Sequence, residues 1–256
     1  MNDVTFCLTS CKRHDLLEQC LESFEEFNTY PITRAIIIED SPEDIGYARD
    51  ILKSIPNLEL LNTGGRQGQV RNIDRCYATI TTDYVFHCED DFVFTKSGFI
   101  ENSKVILEAE PGCVNVWLTP YERAWENPND THRQLIGFDG IKIDHKQHKI
   151  GDITYWNINS CSDPNGGEWG LGFTFQPSLR RMRDWKMVGG YQHLLSHYAP
   201  WCNILDGGQA ERNIARYYAN EGYHTRMFAG PDDNEGGYCY NTGTARHVNL
   251  PNKNEL

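Results

Sequence analysis

The chain has 256 residues, of which 39% are hydrophobic, and its formal net charge is −12 at pH 7. This length and apolar content suffice for a sizeable buried core, which excludes a largely disordered chain. The acidic field repels polyanions, so the composition disfavours nucleic acid as a partner. An anionic small ligand stays compatible if a divalent cation bridges it to the protein.

Nine cysteines are scattered along the chain without any CxxC pair, which argues against a structural zinc site. Several lie in apolar runs, where cysteine behaves as a small buried hydrophobe, and we interpret them as reduced thiols of a cytoplasmic protein. We find neither the pattern of a signal peptide nor an apolar stretch of about 18 residues, so we expect no transmembrane segment.

The first half of the sequence alternates buried strands with amphipathic helices. Apolar runs predict strands, and helical spacing of apolar residues predicts helices. The strands are predicted over 4–9, 35–38, 58–61 and 84–88, and the helices over 16–27, 45–55 and 70–80. This order is typical of an α/β fold with a mostly parallel, Rossmann-like sheet flanked by helices.

The second half is less regular. A helix is predicted over 99–107 and a strand over 113–118, followed by long loops and a β-hairpin before residue 170. A short helix over 213–220 ends before Gly222, where a C-terminal cap belongs, and a last strand is predicted over 224–228.

Polar clusters follow three of the predicted strands, at 9–13, at Glu39-Asp40 and at 89–91. In parallel sheets ligands bind beyond the carboxyl ends of the strands, so these clusters are candidates for one site.

The acidic triplet of residues 89–91 is the most informative cluster. Three adjacent carboxylates repel one another and are costly to desolvate, whereas Mg²⁺ or Mn²⁺ binds such hard oxygen ligands well. A solvated acidic turn is the alternative interpretation. Apolar residues on both sides of the triplet, at 84–86 and 92–94, argue against a simple surface turn.

These pieces, in this order, resemble the nucleotide-binding half of the GT-A glycosyltransferases, especially glycosyltransferase family 2. The resemblance implies that Thr9 contacts the base or ribose and that Arg13 belongs to the same nucleotide-binding loop. It also implies that Asp40 recognises the nucleobase and that Arg71, in an Arg-Asn pair opening a helix, lies beside the nucleotide.

The triplet resembles the Asp-x-Asp motif of that family, with Glu at its first position. The resemblance implies that Glu89 faces the ribose or sugar, that Asp90 also belongs to the nucleotide-sugar site and that Asp91 binds the metal. It further implies a single GT-A domain with a nucleotide-sugar-binding half over residues 1–95 and an acceptor-binding half over residues 96–256.

Family members usually place the catalytic base about a dozen residues before a Gly-Tyr pair, found here at 222–223. This implies Glu211 as the base, with Asp206 as the alternative. Stabilisation of the helix dipole is the non-catalytic interpretation of Glu211.

The resemblance supplies three further candidates in the second half. Trp169, in a glycine-rich stretch, would stack on the sugar, although a core role is equally compatible. His247 would be an additional metal ligand, and Arg246 would meet the diphosphate.

The function implied is transfer of a hexosyl or pentosyl group from a nucleoside-diphosphate sugar, with a UDP-sugar favoured. The acceptor would be a hydroxyl of a carbohydrate or glycoconjugate, and the reaction would depend on Mn²⁺ or Mg²⁺ and invert the anomeric centre. Two alternatives stay open: a sugar-nucleotide nucleotidyltransferase and a non-catalytic carbohydrate-binding relative. The loop at 10–14 lacks the glycines typical of nucleotidyltransferases.

Overall fold

The computed structural model describes residues 3–119, 142–143, 147–160, 172–198, 207–228 and 237–242. The strands are β1 (Val4–Ser10), β2 (Arg34–Glu39), β3 (Leu58–Asn62), β4 (Tyr84–Glu89), β5 (Phe92–Phe94), β6 (Cys113–Trp117), β7 (Lys142–Ile143), β8 (His148–Ile150), β9 (Ile153–Ser160), β10 (Ser178–Arg181), β11 (His224–Met227) and β12 (Cys239–Asn241). The helices are α1 (His14–Phe27), α2 (Ala48–Ile51), α3 (Gln69–Tyr77), α4 (Phe99–Ala109), α5 (Met182–Val188), α6 (Gln192–Tyr198) and α7 (Gly207–Asn220).

The main sheet has the strand order β10-β4-β1-β2-β3. Strands β1 to β4 are mutually parallel, as the alternation of strands and helices predicts, and β10 pairs with β4 in the antiparallel direction. A second sheet has the order β6-β11-β9-β7, with β8 also pairing β9, and β5 pairs with β12. The hairpin expected before residue 170 is present as β8 and β9.

Two hydrophobic clusters pack against the two faces of the main sheet. On the α1 face, the rings of Phe6 and Phe24 stack with their centroids 4.0 Å apart. On the other face, Ile73 and Tyr77 of α3 pack beneath the sheet together with Cys7 of β1. Side chains alternate between the faces of a strand, so β1 contributes to both clusters.

The helix predicted over 45–55 is wrong in extent, since only Ala48–Ile51 is helical. The Asp44 side chain accepts a hydrogen bond from the Gly46 amide at 3.1 Å. This local turn competes with helix formation, so the helix does not begin until Ala48. Leu52 then leaves the helical region, with φ −80° and ψ 61°.

The other predicted strands and helices of the first half are confirmed within a few residues. None of the described helices has the length and apolar character needed to cross a bilayer. The seven cysteines in the described ranges are all free thiols.

Candidate active site

The carboxyl ends of the parallel strands lie side by side. In the β1–β4 ladder Thr9 is opposite Glu89, and in the β1–β2 ladder Ser10 is opposite Glu39. The polar clusters that follow these strands therefore share one edge of the sheet, as the sequence predicts.

Arg13, just before α1, neutralises part of the acidic triplet. Its guanidinium contacts both carboxylate oxygens of Asp90, which is fully buried, and donates to Asp91 Oδ2 at 2.9 Å. Burial alone would lower the pKa of Arg13, but the carboxylates of Asp90 and Asp91 raise it above its ordinary value. Arg13 is thus firmly charged and acts as a counter-ion of Asp90 and Asp91.

Burial raises the pKa of Asp90 to about 6, although Arg13 opposes this shift. The Ser10 hydroxyl donates to Asp90 Oδ2 at 2.9 Å and also favours the carboxylate. Ser10 was not among the residues that the sequence singled out. Its position at the end of β1, within the polar cluster, is the signal that identifies it.

Within the described part of the chain, one carboxylate oxygen of Asp91 has no hydrogen-bond partner. Oδ2 binds Arg13, whereas the buried Oδ1 accepts no hydrogen bond from the described residues. A buried carboxylate oxygen without a partner is costly, and a hard cation satisfies it. The Asp91 carbonyl also accepts a 2.7 Å bond from the Thr242 amide, which fixes the residue against the end of β12.

The carboxylates at this edge suit Mg²⁺ or Mn²⁺, and Asp91 is the residue best placed to hold either ion. Within the described ranges no three His, Cys, Asp or Glu side chains form a complete cation site. An ion held by few protein ligands takes the remaining oxygens from water or a substrate diphosphate.

Glu89 faces α3 rather than α1. Gln69 Nε2 donates to Glu89 Oε1 at 2.5 Å. Burial raises the pKa of Glu89 well above its usual range, and the charges of Asp91 and Glu211 raise it further. Glu211 on α7 is therefore near enough to the triplet to interact with it electrostatically. Gln69 was missed by the sequence argument, although it opens the helix that carries Arg71.

Asp40 organises the loop that precedes α3. Its Oδ1 accepts the Gln67 amide at 2.7 Å and the Thr63 hydroxyl at 3.1 Å, and its Oδ2 accepts the Gly68 amide at 2.8 Å. Gly68 has φ +96°, a conformation that glycine adopts without strain. Both Asp40 oxygens are thus occupied by the chain itself, which the sequence argument did not foresee.

Arg71 lies in the first turn of α3, where its guanidinium donates to Gln67 Oε1 at 3.0 Å. Among the described residues it has no carboxylate in ion-pair contact. A half-buried arginine of this kind, beside an ordered loop, is available to an anionic ligand.

Glu211 is in the first half of α7, and its Oε1 accepts a hydrogen bond from the Phe175 amide. Four other residues singled out by the sequence lie outside the described residues. These are Trp169, Asp206, Arg246 and His247.

Comparison with known proteins agrees with this architecture. The profile of Glycosyl transferase family 2 matches residues 5–167, which is well over half of the chain. No curated protein sequence gives a significant match.

Solved structures share the fold at low sequence identity. A Pyrobaculum calidifontis mannosyltransferase, PcManGT in complex with GDP-Man and Mn²⁺, superposes with a TM-score of 0.56 at 14% identity, over 95% of this chain and 58% of that one. S. aureus TarS has a TM-score of 0.55 at 8% identity, over 94% of this chain and 36% of that one. A TarS structure in complex with UDP gives 0.54 at 8% identity, over 93% and 60%.

This chain therefore spans between about a third and three fifths of the length of these structures. Their similarity shows the fold, a mixed α/β arrangement with a mostly parallel sheet flanked by helices, as in GT-A glycosyltransferases. Together with the profile match over residues 5–167, it establishes that the chain belongs to glycosyltransferase family 2.

Proposed function

We propose that this protein transfers a sugar from a nucleoside-diphosphate sugar to an acceptor hydroxyl in a metal-dependent, inverting reaction. The observation that carries the proposal is the Asp91 carboxylate at the ligand-binding edge of the sheet, with Oδ1 buried and unsatisfied among the described residues. The family membership supports the reaction class, and the Mn²⁺ bound to the mannosyltransferase relative supports the cation.

The donor proposed is a UDP-sugar, with a GDP-sugar as the first comparison, because relatives of the same fold bind UDP or GDP-Man. Thr9 and the loop that Asp40 holds together would border the base and ribose, with Glu89 and Asp90 on the side of the sugar. Arg71 would meet the diphosphate, since it has no carboxylate partner among the described residues. We assign residues 1–95 to the donor half and 96–256 to the acceptor half.

The proposed chemistry follows from the charges at the edge of the sheet. When bound at Asp91, the cation supplies positive charge against the departing diphosphate. The acceptor oxygen bonds to the anomeric carbon as the bond from that carbon to the diphosphate oxygen breaks, and Glu211 takes the hydroxyl proton. Asp206 is the alternative base. Attack from the face opposite the leaving group inverts the anomeric centre.

A binding experiment tests the donor site without knowledge of the acceptor. Thermal stability is measured with UDP, GDP or dTDP, each with Mn²⁺ or with a chelator. We expect one nucleotide to raise Tm only when Mn²⁺ is present, because Asp91 would hold the ion and the ion would supply positive charge that favours diphosphate binding. Absence of any shift with all three nucleotides would refute the proposal.

Two variants make this test specific. Asp91→Asn should abolish the Mn²⁺-dependent shift, whereas Asp50→Asn, which changes an exposed residue of α2, should retain it. Slow metal-dependent hydrolysis in a panel of nucleotide-sugars then identifies the sugar, since water can replace the acceptor.

A further inference from the structure

Arg180 on β10 is a buried cation with little exposure, 3% of its surface. Its guanidinium carbon lies 4.9 Å from the ring centroid of Phe173 and 5.6 Å from that of Phe175. Such stacking contributes to stability, but it does not replace the hydration that a guanidinium loses on burial. A buried cation therefore needs further compensation.

Among the residues that the structure describes, Arg180 donates its hydrogen bonds to uncharged groups. Nη2 donates to the Thr174 carbonyl at 2.7 Å, Nε to the Ser178 hydroxyl at 3.1 Å and Nη1 to the Tyr77 hydroxyl at 3.5 Å. Burial raises the pKa of Tyr77 well above its usual range, so this phenol is neutral at physiological pH. No carboxylate of the described residues touches the guanidinium.

Glu211 supplies a negative charge across one peptide group. The Thr174 carbonyl accepts from Arg180, and the Phe175 amide, at the other end of the same peptide, donates to Glu211 Oε1. The cation thus meets the negative end of the peptide dipole, and the carboxylate meets its positive end. Each charge polarises the peptide in the direction that strengthens the other hydrogen bond.

The pKa shifts of neighbouring groups agree with an interaction between Arg180 and Glu211. Burial lowers the pKa of Arg180, but the neighbouring tyrosines and then the charge of Glu211 raise it above its ordinary value. The charge of Glu211 also reaches Glu89 in the acidic triplet. The Thr174–Phe175 peptide therefore lies between the buried guanidinium of Arg180 and the carboxylate of Glu211.

We propose that Arg180 is a positioning residue for Glu211. Through the Thr174–Phe175 peptide it fixes the carboxylate and supplies its counter-charge. The inference rests on the proposed function, in which Glu211 is the catalytic base. It adds a residue that contacts neither donor nor acceptor and acts only through the peptide that Glu211 binds.

The first test needs no activity. Tm is measured for the wild type, Arg180→Gln, Glu211→Gln and the double variant. We expect each single change to lower Tm and the double variant to lose less than the sum of both, because each single change already removes the interaction of the two charges across the shared peptide. Strictly additive losses would overturn the proposal.

Glu211→Gln keeps an acceptor for the Phe175 amide and provides a measurement that does not depend on an Arg180 variant. Glu221→Gln is its control, since Glu221 is exposed just beyond the end of α7. Only Glu211→Gln should lower Tm. Equal Tm values for both variants and the wild type would also overturn the proposal, even if Arg180→Gln did not fold.

The second test separates positioning from general stability. In the metal-dependent hydrolysis or transfer assay, Arg180→Gln should lower kcat at least tenfold and leave the donor KM within about twofold. Arg180→Lys, which keeps the charge, should recover part of kcat, and Arg183→Gln, at an exposed site, should match the wild type. An unchanged kcat would contradict the proposal.

Failure of the proposed function and failure of the inference about Arg180 give different results. If the wild type neither binds a nucleotide nor cleaves a nucleotide-sugar, the proposed function fails, whereas the Tm cycle still decides whether Arg180 and Glu211 are coupled. If the enzyme is active but the cycle is additive, only the inference about Arg180 fails.

Discussion

Arg13 Nη1 lies 2.9 Å from Asp91 Oδ2, so the carboxylate proposed to bind a metal already has a cationic partner. The same guanidinium also contacts Asp90, which is completely buried. A divalent cation at Asp91 and the Arg13 guanidinium would each neutralise the same negative charge. Under the proposed function the two cations would compete, and we expect the balance between them to set the affinity of the site for metal.

Arg13→Gln should shift this balance toward the metal. Without metal, we expect a lower Tm than in the wild type, because the buried carboxylates lose their counter-ion. Mn²⁺ should bind about tenfold more tightly or better, since a repelling charge only a few ångströms from the site is removed. A titration with MnCl₂ in the absence of nucleotide, followed by Tm or calorimetry, measures both effects.

The control for this prediction is Lys53→Gln, which removes one exposed positive charge at the opposite end of the sheet. It should leave Mn²⁺ affinity unchanged, because solvent and salt screen a charge so distant. Weaker Mn²⁺ binding by Arg13→Gln would show that Arg13 supports the metal site instead of competing with it.

The strands of the first half were predictable because parallel strands buried on both faces are almost wholly apolar, as in Arg34–Glu39 and Tyr84–Glu89. β10 was not predictable in this way. Its four residues, Ser178–Arg181, are all buried, yet two of them are arginines. Arg181 forms an ion pair with Asp184 at 2.7 Å, and it also donates to the distant carbonyls of Leu107 and Pro111, each at 2.7 Å. The contacts with Leu107 and Pro111 are long-range and leave no local pattern in the sequence.

The candidate site also combines features that the sequence could predict with features that it could not. Strand ends are a local feature, so Thr9 and Glu89 could be predicted to lie together, and the ladder between β1 and β4 confirms this. The contacts of Asp40 depend on how the chain folds back at 63–68, which residue types do not reveal. The roles assigned to these residues stay predictions that the variants here can test.

Asp74 of α3 joins this helix to α5 and to the start of α6, and we expect its loss to destabilise the protein. Its carboxylate accepts three hydrogen bonds, from Trp185 Nε1 at 2.9 Å, the Tyr191 amide at 2.9 Å and the Gln192 amide at 2.7 Å. Asp74→Ala leaves these donors without their acceptor, which costs about 2 kcal/mol and lowers Tm by roughly 4–8 °C.

Asp50→Ala, at an exposed position of α2, is the matched control and should change Tm by no more than about 2 °C. Thermal unfolding followed by circular dichroism measures both variants. An Asp74→Ala protein as stable as the control would mean that water replaces the carboxylate at no cost.

His87 should make the stability of the protein sensitive to acid. Burial, and then the charge of Arg180, lowers the pKa of His87 well below 6.5. As the pH falls below about 6.5, the unfolded chain takes up a proton at this residue and the folded protein does not. The stabilising contribution of neutral His87 is thus complete above pH 6.5 and is lost as the pH falls toward its folded-state pKa, at up to about 1.4 kcal/mol per pH unit.

His87→Leu removes this contribution, so its unfolding free energy should depend less on pH between 6.5 and 5 than that of the wild type. The ring nitrogens have no hydrogen-bond partner among the described residues, so leucine breaks no hydrogen bond there. Urea unfolding at a series of pH values gives the slope, and His193→Leu, at an exposed position of α6, controls for histidine content. Parallel slopes for His87→Leu and the wild type would show that His87 titrates normally.

The two candidate bases can be distinguished by one pair of variants. Glu211→Gln should lower kcat about 10²–10³-fold with donor affinity nearly unchanged, because the amide keeps the hydrogen bond from Phe175 but cannot take a proton from the acceptor. Asp206→Asn, five residues earlier, should retain most of kcat if Glu211 is the base. Donor affinity is measured separately by Tm shift, so that loss of chemistry is not confused with loss of binding. The opposite result, with activity lost only in Asp206→Asn, would transfer the role of base to Asp206 and leave Glu211 as a structural acceptor for the Phe175 amide.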